Sequence, residues 1–323
     1  MRKLLLGTTA LAAAATLSAN AALADVSISG YYEWKYQSTS ADIAANDGSS
    51  FANDSEITMK FSNKTDSGLT IEMVTEFQSD DGDSAIDESS MSISGGFGKL
   101  VLGGNDGVGD NYGVSSTDLP AEEIYATGSD TLAILNSDIS GLEGDGSKVA
   151  YHIPAMGGLT AGVSFYDSGN TGTTDSTQVG FKYAMDAGGA SVTIGGATGT
   201  QEVSGAADQD SSVLGLSVTS GNITANVSQA SFEQASVDEE SNGASVKFKV
   251  SDAMTLVAHT AETKDSVSSE KYTNSGIEVQ YAIASGLTAY INVEDYDYKV
   301  GTLTSAVEAD SGTASKLTIK ATF

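Results

Sequence analysis

The chain has 323 residues, no cysteine, two prolines, 36 glycines and a formal net charge of −28. Such acidity repels nucleic acid and anionic headgroups, and the missing cysteine excludes a disulfide framework and thiol chemistry. The glycine-rich, proline-poor composition fits strands and turns better than helices.

The first element reads as a leader. Met1-Arg2-Lys3 is basic, Leu4 to Leu17 is apolar, and Ala22-Leu23-Ala24 is a small-x-small cleavage site before Asp25. The apolar run falls short of the ~20 residues a spanning helix needs. This predicts a secretory signal peptide over 1–24 and a mature domain over 25–323. That domain carries 13 lysines, no arginine and 43 acidic residues, a net charge of −30.

Beyond the leader, repetition replaces apolar helices. VSISGYYEWKY (26–36) opens a series in which a glycine or aspartate turn launches an alternating strand. The launches anchor on Gly68, Gly98, Gly158, Gly189, Gly221, Asp252 and Gly286, at spacings of 30, 60, 31, 32, 31 and 34 residues. Each unit is a strand out, a polar loop and a strand back, and one unit is double length. Seven short turns joining eight hairpins make sixteen strands. KLTIKATF (316–323) is the last, and closure would pair it with the first.

Parity separates a barrel from a sandwich. Glu56 and Lys60, Glu72 and Glu76, Lys247 and Lys249, and Lys316 and Lys320 place charge in mid-strand on one face, which a dry core would not accept. The interior is therefore wet, in the size class of aqueous channels. Aromatic residues near strand ends (Tyr36, Phe77, Phe97, Phe165, Tyr166, Phe181, Tyr183, Tyr281, Tyr296, Tyr298 and Phe323) read as interfacial girdles. The expectation is an all-β, 16-stranded antiparallel transmembrane barrel with short periplasmic turns and long external loops.

The double-length unit, 105–147, holds nine acids and no basic residue: Asp106, Asp110, Asp118, Glu122, Glu123, Asp130, Asp138, Glu143 and Asp145. A connection this long is functional or disordered. Two extra strands hidden within it would make an eighteen-strand barrel, but NDGVGDNYGVSSTDLPAEE has no strand-length alternation.

GGFGKLVLGG (95–104) followed by that acidic loop resembles the strand-turn-strand before the third loop of Gram-negative general porins, particularly those of alphaproteobacteria. TDSGL (65–69) resembles their turn, and Phe323 their aromatic C-terminal residue. The resemblance implies an outer-membrane channel for passive diffusion of small hydrophilic solutes and ions, and an inward-folded third loop. Asp106, Asp110, Asp118, Glu122, Glu123 and Asp130 would then lie at or near the constriction. It also implies a homotrimer latched through the loop at 79–88, and recognition of Phe323 by the barrel-assembly machinery.

The family places basic residues opposite the loop, and here only lysines are available. On the polar parity these are Lys35, Lys60, Lys99, Lys148, Lys182, Lys247, Lys249, Lys316 and Lys320. Lysine is a flexible point charge rather than a rigid guanidinium, and the acidic balance predicts cation selectivity. Acidic loops, with Asp80, Asp81 and Asp83 in the densest, read as solvated surface or as weak Ca²⁺ ligands and bridges to lipopolysaccharide phosphates; EF-hand spacing is absent.

An enzyme reading fails on its residues. His152 and His259 are the only histidines, both in strand patterns, with no G-x-S-x-G elbow and no zinc tetrad. Two other readings stay open: a substrate-specific channel, for which the lumen parity offers Tyr31, Tyr166 and Tyr290, and a secreted β-repeat adhesin.

Overall fold

The computed structural model describes residues 25–78, 86–121, 146–167, 175–202, 205, 207–299 and 309–323. The signal-peptide expectation for 1–24 lies outside them. Sixteen strands follow in chain order: β1 (Asp25–Ala41), β2 (Gly48–Lys64), β3 (Thr70–Gln78), β4 (Ser89–Gly95), β5 (Gly98–Gly104), β6 (Ser147–His152), β7 (Leu159–Asp167) and β8 (Asp175–Asp186). The second half comprises β9 (Ser191–Glu202), β10 (Gln209–Ser220), β11 (Ile223–Gln234), β12 (Val237–Lys249), β13 (Met254–Asp265), β14 (Lys271–Ala284), β15 (Leu287–Lys299) and β16 (Asp310–Thr322).

Each strand pairs antiparallel with its sequence neighbours, and β1 pairs β16, closing the barrel. The seam runs from Tyr31 opposite Thr322 to Ala41 opposite Gly312. The Phe323 N–H extends it by donating to the Gly30 carbonyl. Closure is what a membrane demands, since an unpaired edge in hydrocarbon leaves backbone groups without partners.

Short turns explain the repeat. In the β2–β3 turn the Thr65 N–H donates to the Leu69 carbonyl and the Gly68 N–H to the Thr65 carbonyl. Gly68 holds φ at 85°, the left-handed region that glycine enters without penalty.

The two faces of the wall are inverted relative to a soluble protein. Val26, Ile28, Val179, Val227, Ile277 and Ile291 point outward on their strands and stay exposed. Lumen-facing positions are mostly polar or charged, among them Glu33, Gln178, Asn226, Glu278 and Glu294. Trp34 and Phe51 stack at 5.5 Å on the outer face of β1 and β2, with Tyr36 5.1 Å from Phe51.

Three girdle assignments are corrected. Tyr166 pairs with Lys148 on the lumen face, and Tyr296 and Tyr298 pair with Asn274 and Tyr272 there. Strand-end aromatics look alike in sequence, and only the register shows which face each occupies. Tyr272, Tyr296 and Tyr298 are 1%, 4% and 1% exposed, so they are packed wall and not a stacking surface in open water.

An outward-facing charge should be costly. Ile277→Arg is expected to destabilise the folded barrel by about 2–4 kcal/mol, read as a shifted midpoint in reversible urea unfolding in lipid vesicles. The lumen-facing Lys182→Gln should shift it far less.

Candidate functional site

The connection after β5 enters the barrel. Residues 105–107 lead into a single helical turn, α1 (Val108–Tyr112), and a 3₁₀ turn, Ser116–Asp118, closes with a capping box. In that box the Ser115 hydroxyl accepts from the Thr117 N–H and the Asp118 carboxylate from the Ser115 N–H.

The wall fixes the segment along its length. The Val108 N–H donates to the Ser164 hydroxyl at 3.2 Å and the Gly109 N–H to Gln178 Oε1 at 2.7 Å. The Tyr112 hydroxyl meets His152 Nδ1 at 2.7 Å. Further on, Asn226 Nδ2 donates to the Ser115 carbonyl at 2.9 Å, the Ser116 N–H to the Ser228 hydroxyl at 2.7 Å, and the Ala121 N–H to Glu278 Oε1 at 2.9 Å. These partners lie on β7, β8, β6, β11 and β14, so the loop sweeps across half the barrel.

The seat is a trench of glycines. Gly162, Gly180, Gly195 and Gly215 occupy the lumen face of four adjacent strands, β7 to β10. A Cβ on Gly180 would lie 2.8 Å from Tyr112 Cβ, one on Gly195 2.5 Å from Val114 Cγ2, and one on Gly215 2.0 Å from the Val114 carbonyl oxygen. Backbone conformation does not require glycine at these positions; the approach of the loop does. Beneath it, Val108 and Tyr112 pack with Val101 and Ala150, one of the few apolar clusters on the inner side.

Asp106, Asp110 and Asp118 are exposed on the loop, while Glu122, Glu123 and Asp130 lie outside the described residues. Asp118 meets lumen water but is ringed by wall, and this enclosure pushes its carboxyl above the usual carboxylate range. The Ser115 N–H and the charges of Lys182 and Lys247 act the other way, without cancelling it. Burial likewise raises the Tyr112 phenol.

All nine lysines of the polar parity fall on the lumen face, in different settings. Lys35 pairs with Glu33 at 2.7 Å and Asp54 at 3.1 Å, Lys320 with Glu33 at 2.6 Å, and Lys60 with Glu72 at 2.8 Å. Lys320 also lies 4.1 Å over the Tyr31 ring. Lys182, Lys247 and Lys316 are half-buried and Lys99 is exposed.

Two of the nine do not belong to an open wall. Lys148 is 3% exposed and its ammonium donates to the Asn105 carbonyl, anchoring the root of the loop. Lys249 pairs at 2.8 Å with Asp252, whose carboxyl it holds below the usual range, at the rim of a periplasmic turn.

Asp80, Asp81 and Asp83 lie outside the described residues. Among those described, Glu56, Glu76 and Asp87 converge, each offering an oxygen within 4.8 Å of the others. Convergent carboxylates are ordinary on so acidic a wall, and no ligand role is assigned to them. Parity could have revealed Glu33 and Asp54 as partners for Lys35, and the i,i+4 pair Val108/Tyr112 could have signalled α1.

A closed sixteen-strand barrel, apolar outside and polar within, with a loop folded into its lumen, defines a transmembrane channel of the bacterial outer membrane. The sequence matches the Gram-negative porin family over residues 7–301, and the chain belongs to that family. It is a channel protein and not an enzyme.

Solved structures agree on the fold. An anion-selective porin from Comamonas acidovorans is 19% identical with a TM-score of 0.69, covering 93% of this chain and 100% of that one. The trimer form of OmpT from Vibrio cholerae is 15% identical with a TM-score of 0.69, covering 93% and 99%. A mutant of the Rh. blastica porin is 15% identical with a TM-score of 0.65, covering 93% and 100%. No curated protein matches the sequence.

The trench makes a sharp prediction. Gly215→Ala should cost about 1–3 kcal/mol through overpacking and push the loop into the lumen, lowering single-channel conductance. Gly48→Ala, which meets nothing within 4 Å, should leave conductance unchanged.

Proposed function

We propose that the channel passes small hydrophilic solutes and ions by passive diffusion, with a preference for cations, through the space between the seated loop and the wall of β1–β3. In the barrel order β2 lies opposite β10, so β1–β3 face the strands that carry the loop. The observation that carries the reading is the state of the opposite wall. Lys35, Lys60 and Lys320 are each tied to a carboxylate, and the loop adds three exposed acids, Asp106, Asp110 and Asp118, to the interior.

Paired lysines contribute little net field, and the acids there outnumber them, with Glu33, Asp54, Glu56, Glu72 and Glu76 against Lys35, Lys60 and Lys320. Cations are therefore enriched in the passage and anions depleted. The bias fades as salt shortens the Debye length to ~3 Å near 1 M. The Comamonas acidovorans relative is anion-selective, so selectivity is set by charge placement within a shared fold.

The association state proposed is a homotrimer, supported by the trimer form of the Vibrio cholerae relative. Lipopolysaccharide contacts at the external rim and barrel-assembly recognition of Phe323 belong to the same reading. An oligomer band in unheated detergent samples that collapses to monomer on boiling would support the trimer; a monomer before heating would refute it.

Reversal potential under a KCl gradient at low salt tests selectivity. A cation-selective potential is expected, reduced in Asp106→Asn, Asp110→Asn and Asp118→Asn; an anion-selective potential would overturn the reading. Because the Asp118 carboxyl is raised, acidification should begin to erode selectivity above the ~3.9 of an ordinary aspartate. Asp118→Asn should lose that upper part of the titration.

A further inference from the structure

The wall beneath the 3₁₀ turn holds a histidine and a carboxylate that the channel reading does not use. His259 on β13, Gly276 on β14 and Glu294 on β15 stand in one cross-strand row. The imidazole crosses the gap that Gly276 leaves: a Cβ there would lie 2.5 Å from His259 Nε2. Nε2 thereby comes within 3.9 Å of Glu294 Oε2 and makes no hydrogen bond. Both side chains are enclosed, at 10% and 2% exposure. Glu294 is held from its other oxygen, Oε1, which accepts from Asn274 Nδ2 at 2.9 Å.

These groups line a recess of about 10 Å³ whose opposite side is the loop itself, through Ser116, Thr117 and Pro120. The recess is roughly the size of one water molecule. Other charged groups face it from a distance: Lys247 two positions along the wall from Ser245, which pairs with His259, Glu278 on β14 with its hold on the Ala121 N–H, and Asp118 on the loop. Among these side chains the imidazole is the type whose ordinary titration lies closest to neutral pH.

We propose that His259 and Glu294 are positioning residues that make the seat of the loop sensitive to protons, beyond any role in selectivity. With neutral imidazole, the 3.9 Å gap is tolerated and the turn Ser116–Asp118 rests against the recess. Protonation places a charge where bulk water cannot reach it. Such a charge must be met by a partner or by solvent. Either Glu294 closes on it or water enters, and both displace the turn that forms the other side. The loop loosens on acidification, and the passage it bounds closes more often.

The test is single-channel recording of the refolded full chain between pH 7.5 and 5. The wild-type closed fraction should rise several-fold across the histidine range. His259→Gln should conduct with a flat profile, and Glu294→Gln should shift the rise to lower pH because the imidazolium loses its partner. A conducting His259→Gln with the wild-type profile would overturn the proposal while leaving the channel reading intact. If that variant yields no channels, Glu294→Gln decides: a wild-type profile there sinks the proposal. A wild type that never conducts would instead remove the channel reading on which the proposal rests.

Discussion

Every feature of this molecule depends on one constraint: backbone groups in hydrocarbon must find partners within the protein. The β1–β16 seam satisfies it by leaving no edge. Once the sheet is closed, side-chain alternation becomes a division between two solvents, with Ile277 and Val227 facing lipid and their neighbours Glu278 and Asn226 facing the lumen. A single-residue slip of any strand would exchange the two faces, so register is set as strongly as in a buried core.

The same closure gives the loop its seat. An interior this wide would be open along its whole height without an inserted element, and the only way to insert one is to supply polar partners on the wall. Gln178, Asn226, Ser228 and Glu278 do so, and the glycines of β7 to β10 let the backbone approach closely enough to use them. Electrostatics follows from this placement. Acids are carried inward on the loop, while on the facing wall Glu33 is shared by Lys35 and Lys320, so lysine is neutralised in place.

Much of this architecture was legible. Seven turn anchors and two-residue alternation led to the count of sixteen strands, because each short turn joins a strand back to a strand out, and the seam was readable from KLTIKATF. Less was legible at the site. A lumen glycine such as Gly215 reads like any glycine in a strand, and nothing local distinguishes one that admits a loop. Tyr296 and Tyr298 sat near a strand end but on the inner parity, which counting from Ile291 would have shown. Lys148 looked like a pore charge because its partner, the Asn105 carbonyl, is a backbone atom with no sequence signal. The row His259, Gly276, Glu294 needs the register of three strands at once, and no short window contains it.

The seam also governs the order of assembly. Each hairpin joins residues close in sequence, yet Tyr31 meets Thr322 across 291 positions. Loop closure on that scale costs about 5 kcal/mol by the logarithmic law, incurred before the first seam hydrogen bond repays it. Local hairpins therefore form first and the cylinder shuts last. Until then β1 and β16 are bare edges, each able to pair with another copy's strand. The partly folded sheet, and not the finished channel, is the state most exposed to aggregation.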